Sequence, residues 1–161
     1  MAQSRKPKQE KLQTSLRARA LRLLARREHS RLELERKLAP HAQDPEELRS
    51  LLDDLARRGW LSERRVVEQV IHTRRGKFGS RRIRQDLLDK GVAEELVAEA
   101  LPQLKESEVE AARKVWRRKF GAPPRNRNER ARQVRFMQGR GFALDMILKI
   151  IKSGGADDES A

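Results

Sequence analysis

The sequence predicts an all-α protein of three tandem three-helix repeats, and three observations carry that reading. A stretch of chain recurs three times, roughly fifty residues apart. Ser30-Arg31-Leu32-Glu33-Leu34 leads to Glu46-Glu47-Leu48, and Ser80-Arg81-Arg82-Ile83-Arg84-Gln85-Asp86-Leu87 leads to Glu94-Glu95-Leu96. Arg130 to Phe142 leads to Leu144-Asp145-Met146-Ile147, the copy that has drifted furthest. Self-similarity at that period is the mark of one helical unit stacked in tandem. Apolar residues also recur at three- and four-residue spacing, with no β-branched run alternating at period two. Finally, apolar residues make up 37% of the chain and charged residues 39%. That balance suits thin helical layers better than one thick core and points to an extended, basic, adaptor-like molecule.

Residues 1–11 lack apolar periodicity, hold Arg5, Lys6, Lys8 and Lys11, and are expected to be a disordered basic tail. The first repeat, 12–59, opens with a helix from about Leu12 to Arg27 whose stripe is Leu16, Ala20, Leu23 and Leu24. Ser30 caps a short second helix carrying Leu34 and Leu38, which Pro40 ends. Asp44-Pro45-Glu46-Glu47 starts the third: an acceptor for orphan N–H groups, a proline at the first helical position, and a glutamate that can bond back. Leu48, Leu51, Leu52 and Leu55 follow, and Gly59 stops it.

The second repeat, 60–104, has the same order. Ser62 caps a helix bearing Val66, Val67, Val70 and Ile71, and Gly76 and Gly79 bracket a turn around Phe78. Ile83 and Leu87 mark the second helix, which Gly91 ends, and Leu96, Val97, Ala100, Leu101 and Leu104 mark the third. Pro102 is expected to kink or end that third helix. The third repeat, 105–152, carries Val109, Ala112, Trp116 and Phe120 on one stripe, breaks at Gly121-Ala122-Pro123-Pro124, resumes from Asn126 to Gln138, turns at Gly141 and ends with a helix over 143–151. Residues 153–161, Gly-rich and then acidic, are expected to fray.

Several functions fall away. Without cysteine there is no disulfide, thiolate ligand or thiol nucleophile. His29, His41 and His72 have no ligand partner at helical spacing, so no metal or other cofactor is expected. Asp53-Asp54 and Glu94-Glu95 read as solvated helix faces or helix-start charges rather than as acid–base pairs. Phosphate-loop, dinucleotide and nucleophile-elbow motifs are missing, and the sequence predicts no enzyme. No apolar run is long enough to cross a bilayer.

Charge says more. Lys and Arg number 38 against 24 Asp and Glu, a formal net of +14, which sets up a long-range field attracting polyanions or acidic protein surfaces. Residues 74–84 contain Arg74, Arg75, Lys77, Arg81, Arg82 and Arg84 and no acid. Residues 113–140 contain eleven Lys and Arg against one acid, Glu129. The candidate binding residues there are Arg113, Lys114, Arg117, Arg118, Lys119, Arg125, Arg127, Arg130, Arg132 and Arg135. A charged surface serving solubility alone would mix signs. If equivalent edges of stacked repeats align, these cations form one continuous stripe. Base-reading by a helix-turn-helix is disfavoured, because the third helices bring Glu46, Glu47, Asp53, Asp54, Glu94, Glu95, Glu99 and Asp145 towards a phosphate-walled groove. Stacking on single strands is disfavoured too: of the aromatics Trp60, Phe78, Trp116, Phe120, Phe136 and Phe142, most fall on apolar stripes or at helix starts.

Gly59-Trp60-Leu61-Ser62-Glu63-Arg64-Arg65-Val66-Val67-Glu68, with Arg74 and Gly76-Lys77-Phe78-Gly79-Ser80-Arg81-Arg82-Ile83-Arg84-Gln85-Asp86-Leu87, resembles the central repeat of the RecX regulatory proteins. His29 to Leu34 and Arg135-Phe136-Met137-Gln138-Gly139-Arg140-Gly141-Phe142 are similar to the flanking repeats, so the likeness spans roughly residues 15–151. Val66-Val67 stands where Phe-Ala is usual and Trp60 where Tyr is common, swaps that keep apolar character. The resemblance implies an elongated, curved array of three-helix repeats and a cytoplasmic, monomeric regulator of the RecA filament. Such a protein lies in the filament groove across neighbouring protomers and restrains recombinase, ATPase and coprotease activity in DNA repair and the SOS response. A general binder of single- or double-stranded DNA through phosphate contacts is the alternative reading.

Overall fold

The computed structural model describes residues 15–156. Eight α-helices and one 3₁₀ turn make up the described residues: α1 (Leu16–Arg26), α2 (Arg31–Leu38), the turn Ala39–His41, α3 (Pro45–Arg57), α4 (Glu63–Arg74), α5 (Ser80–Asp89), α6 (Glu94–Lys119), α7 (Arg127–Gly139) and α8 (Leu144–Ser153). The chain divides into two compact units between Ser62 and Glu63. The predicted basic tail, residues 1–11, lies outside the described residues.

In the first unit, Leu16 and Ala20 of α1, Leu34 and Leu38 of α2, and Leu48, Leu51, Leu52 and Leu55 of α3 close into one apolar cluster with Leu61. Local chemistry sets each start. Ser15 accepts from the Ala18 N–H, and Asp44 accepts from Glu46 N–H ahead of Pro45. Ser30 and Glu33 form a reciprocal capping box, the Ser30 side chain accepting from Glu33 N–H while Ser30 N–H donates to the Glu33 carboxylate.

The second unit holds two apolar clusters. One gathers Val66, Val67 and Ile71 of α4, Ile83 and Leu87 of α5, and Val97, Ala100 and Leu104 of α6. The other gathers Ala111, Ala112 and Trp116 of α6, Met137 of α7, Phe142, and Ile147, Ile150 and Ile151 of α8. Both draw on α6, so the third helix does not end at Pro102, one of the two outcomes expected there. The third helix of one repeat and the first of the next are a single 26-residue helix with Pro102 inside it. Ala98 and Pro102 are both exposed, so the carbonyl that the missing N–H leaves unbonded can be met by water. The buried stripe Val97–Ala100–Leu104 continues through Glu108 to Ala111 and Ala112, and tertiary packing on both sides of the proline holds the helix together.

The C-terminus is ordered further than the glycines suggested. Gly154 adopts a left-handed φ of 62° and ends α8. Gly155 N–H then donates to the Ile150 carbonyl, and the residue packs on Trp116. Residues 157–161 lie outside the described residues.

Candidate interaction surface

Within the second unit, the junction between the α4–α5 turn and the end of α7 is nearly all backbone. Gly79 N–H donates to the Arg140 carbonyl at 2.7 Å, and Arg81 N–H to the Gly141 carbonyl at 3.3 Å. The approach is too close for side chains: a Cβ on Gly79 would lie 2.3 Å from the Gly141 carbonyl oxygen, and one on Gly141 2.4 Å from the Arg82 Cβ. Glu108, buried at 7% exposure, locks the same point from beneath. Its carboxylate accepts from the Ser80 N–H at 2.8 Å and from the Ser80 hydroxyl at 2.9 Å. Gly79 has no side chain to cap α5, so Glu108 supplies the missing acceptor from a distant helix, where negative charge also suits the helix dipole.

Cations stack over this junction. The guanidinium groups of Arg74, Arg82 and Arg140 lie 5.0, 5.1 and 5.0 Å from the centroid of the half-buried Phe78 ring. Arg140 also sits 5.3 Å from the Phe136 centroid, and Lys119 lies 5.2 Å from the same ring. The sequence Arg74–Phe78–Arg82/Arg140–Phe136–Lys119 thus forms a ladder of cations and rings running from α4 to the end of α6. Asp86 holds Arg74 at 3.3 Å and Arg82 at 3.8 Å. Arg82 donates to the Gly139 carbonyl and Arg140 to the Lys77 carbonyl. Desolvated cation–π contacts are each worth about 0.5–2 kcal/mol, so the ladder both fastens the repeats and fixes guanidinium groups at the surface.

The other candidates sort into cations held by contacts and cations without a partner. Arg75 turns away from its neighbour Arg74, donating to Ser107 of α6 and lining the hollow between α4 and α6. Arg113 is largely buried and lies 3.8 Å from Glu110. Arg117 donates to the Gly155 carbonyl, clamping the C-terminal turn. These three cations are held by contacts within the second unit. Lys77, Arg81, Arg84, Lys114 and Arg118 are exposed, and among the described residues their side chains carry no hydrogen bond or ion pair. The same holds for Arg125, Arg127, Arg130, Arg132 and Arg135 around and along α7.

Arg140 was counted among the eleven cations of residues 113–140 but was not among the candidate binding residues. Its position between Gly139 and Gly141 is visible in the sequence, but that it bridges two rings depends on the close glycine contact. The aromatics also depart from expectation in part. Trp116 and Phe142 are buried, whereas Trp60 is 43% exposed with Arg58 over its ring. The half-buried Phe78 ring is already approached by three of the chain's own guanidinium groups.

In the first unit the acids expected to face water are engaged. Asp54 is held by Arg17 at 2.6 Å, Arg58 at 2.9 Å and Arg57 at 3.6 Å. The hydrogen bond from Arg17, joined by that from Arg58, keeps the Asp54 carboxyl below the ordinary aspartate value. Asp53 pairs with Arg31 at 2.6 Å. His29 is buried, its Nδ1–H donating to the Arg27 carbonyl at 3.0 Å while Nε2 meets the Lys37 ammonium at 3.3 Å. Among the described residues no three His, Asp or Glu are placed to hold a metal ion, and no helix is long and apolar enough to cross a membrane.

Tandem three-helix repeats whose second unit displays cations without matching acids define a basic helical-repeat protein. Known proteins agree. The models of the second and third three-helix domains of RecX match residues 62–101 and 106–151. The regulatory protein RecX of Leptothrix cholodnii is 52% identical over 140 residues, covering 87% of this chain and 89% of its own. That of Ralstonia pickettii is 46% identical over 144 residues, covering 89% of each. The chain belongs to the RecX family of regulatory proteins. Among solved structures, one of regulatory protein RecX superposes with a TM-score of 0.71 at 22% identity over 88% of this chain and 73% of that one. The crystal structure of RecX from Lactobacillus salivarius gives 0.69 at 19% identity over 86% and 93%. Likeness at that identity speaks for the fold.

Proposed function

We propose that this protein binds RecA nucleoprotein filaments as a monomer and restrains strand exchange, ATP hydrolysis and coprotease activity without catalysing a reaction itself. Membership of the RecX family supports this reading. The observation that carries it is the second unit's surface: Arg81 and Arg84 on α5 and the arginines of α7 stand exposed and unneutralised beside a cation ladder fixed by Phe78 and Phe136. Charge-assisted contacts from such groups suit the carboxylates and phosphates of a filament that repeats its anionic surface. The reading puts the protein in the cytoplasm, in recombinational repair and the SOS response.

Salt separates this from general DNA binding. A protein that neutralises about six phosphates loses roughly a thousandfold in affinity for naked DNA between 50 and 200 mM salt. The protein is expected to stay on a RecA filament at a salt that strips it from the same DNA alone, read by co-sedimentation. Release from both at one salt concentration would leave only phosphate binding.

A further inference from the structure

The first unit contains a cationic groove that the filament reading does not use. It lies between α1 and α2, holds about 270 Å³, and is lined by Arg19, Arg22, Arg26, Lys37 and His41 around Leu23 and Leu38. The floor is aliphatic: Leu38 belongs to the buried core and Leu23 packs against it. No lining residue is acidic. Three of the unit's acids are paired elsewhere, Asp53 to Arg31, Asp54 to Arg17, Arg57 and Arg58, and Glu33 to Arg27. Arg22 and Arg26, one turn apart on α1, are exposed and without a side-chain partner among the described residues. A second hollow of about 470 Å³ shares Arg19 and His41, continues to Ser15 and carries one acid, Glu47, in its wall. Together the two flank the whole of α1, about 16 Å at 1.5 Å per residue.

The geometry points to this groove as a docking site for an acidic segment of a partner protein, with one apolar side chain seated on Leu23 and Leu38 and carboxylates paired to Arg22 and Arg26. Charge complementarity selects an anion. The floor then selects among anions: aliphatic side chains give a nucleobase nothing to stack on, and a phosphate backbone would leave the apolar surface uncovered. Exposed ion pairs alone contribute little, so affinity here requires the apolar contact as well. The N-terminal residues Arg5, Lys6, Lys8 and Lys11 of this chain carry the wrong sign to occupy it. The inference stands apart from the filament reading, whose candidate residues all lie in the second unit.

The test uses the full chain and a fluorescein-labelled acidic peptide of about twelve residues with one central leucine, followed by polarisation at about 150 mM salt. Saturable binding tighter than about 1 mM is expected. Arg22→Glu/Arg26→Glu should weaken it at least tenfold, and Leu→Ser in the peptide at least about fivefold. A thymidine oligonucleotide of similar length should lose no more than about threefold on the same variant. Circular dichroism checks folding, and Arg22→Gln/Arg26→Gln, expected to weaken peptide binding about threefold or more, replaces the reversal if that variant unfolds. The proposal is overturned if no saturable binding occurs, if neither double variant weakens the peptide, or if both peptides bind alike. It is equally overturned if the oligonucleotide loses as much as the peptide, which would make the groove a phosphate site.

Discussion

Arg81 and Arg82 are adjacent and of one type, yet they have different work. Arg82 stacks on Phe78, pairs with Asp86 and donates to Gly139, whereas the Arg81 side chain stands free in solvent among the described residues. The sequence marks the cluster but cannot divide it, because the division comes from a contact between residues 57 positions apart. His29 shows the same limit: an isolated histidine reads as bland, and only the fold reveals its burial. Loss of solvation, with the Arg27 and Lys37 charges close by, holds its pKa below the ordinary 6.5 even though the bond to the Arg27 carbonyl pulls the other way. Between the folded value and about 6.5 the unfolded chain binds a proton that the folded one refuses, so stability is full above 6.5 and falls as pH drops towards the folded value. Amide protection of α1 and α2 is therefore expected to decline from pH 7.5 to 5.5 in the wild type and to decline less steeply in His29→Gln. Equal slopes would show that His29 does not govern this window.

At the scale of elements, sequence patterning located nearly all the helices, since their caps and breakers are local. Ser30, Asp44-Pro45, Gly59, Gly91, Asn126 and Gly141 all act where sequence placed them. The helix does not end at Pro102 because a local rule was outweighed by apolar packing on either side of it. The Gly79–Gly141 contact went unread because a glycine needed for close approach looks in sequence like one needed for a turn. Gly79→Ala is expected to destabilise the second unit by about 2–3 kcal/mol through overpacking against the Gly141 backbone. Gly139, whose Cβ would meet nothing within 4 Å and which ends α7, serves as the control. Gly139→Ala should be neutral or stabilise by up to about 1 kcal/mol. Urea midpoints followed through the buried Trp116 distinguish the two, and similar midpoints would mean the junction is loose.

For the whole molecule, the all-α repeat architecture was legible because periodicity, composition and self-similarity agree. The candidate surface was legible only in outline. Charge density pointed to the second and third repeats, but Arg75, Arg113 and Arg117 are tied to contacts within the second unit, and Arg140 joins the ladder. The proposed binding is therefore assigned to the cations that remain without a partner.

The central claim is that those cations, and not the ones built into the junction, recognise the filament. Arg81, Arg84, Arg132 and Arg135 can be reversed to Glu together without touching Phe78, Gly79 or Glu108. The decisive measurement is inhibition of RecA strand exchange by this fourfold variant, with helicity and melting matched to the wild type. The account predicts inhibition at least about tenfold weaker. Undiminished inhibition by a folded variant would contradict it.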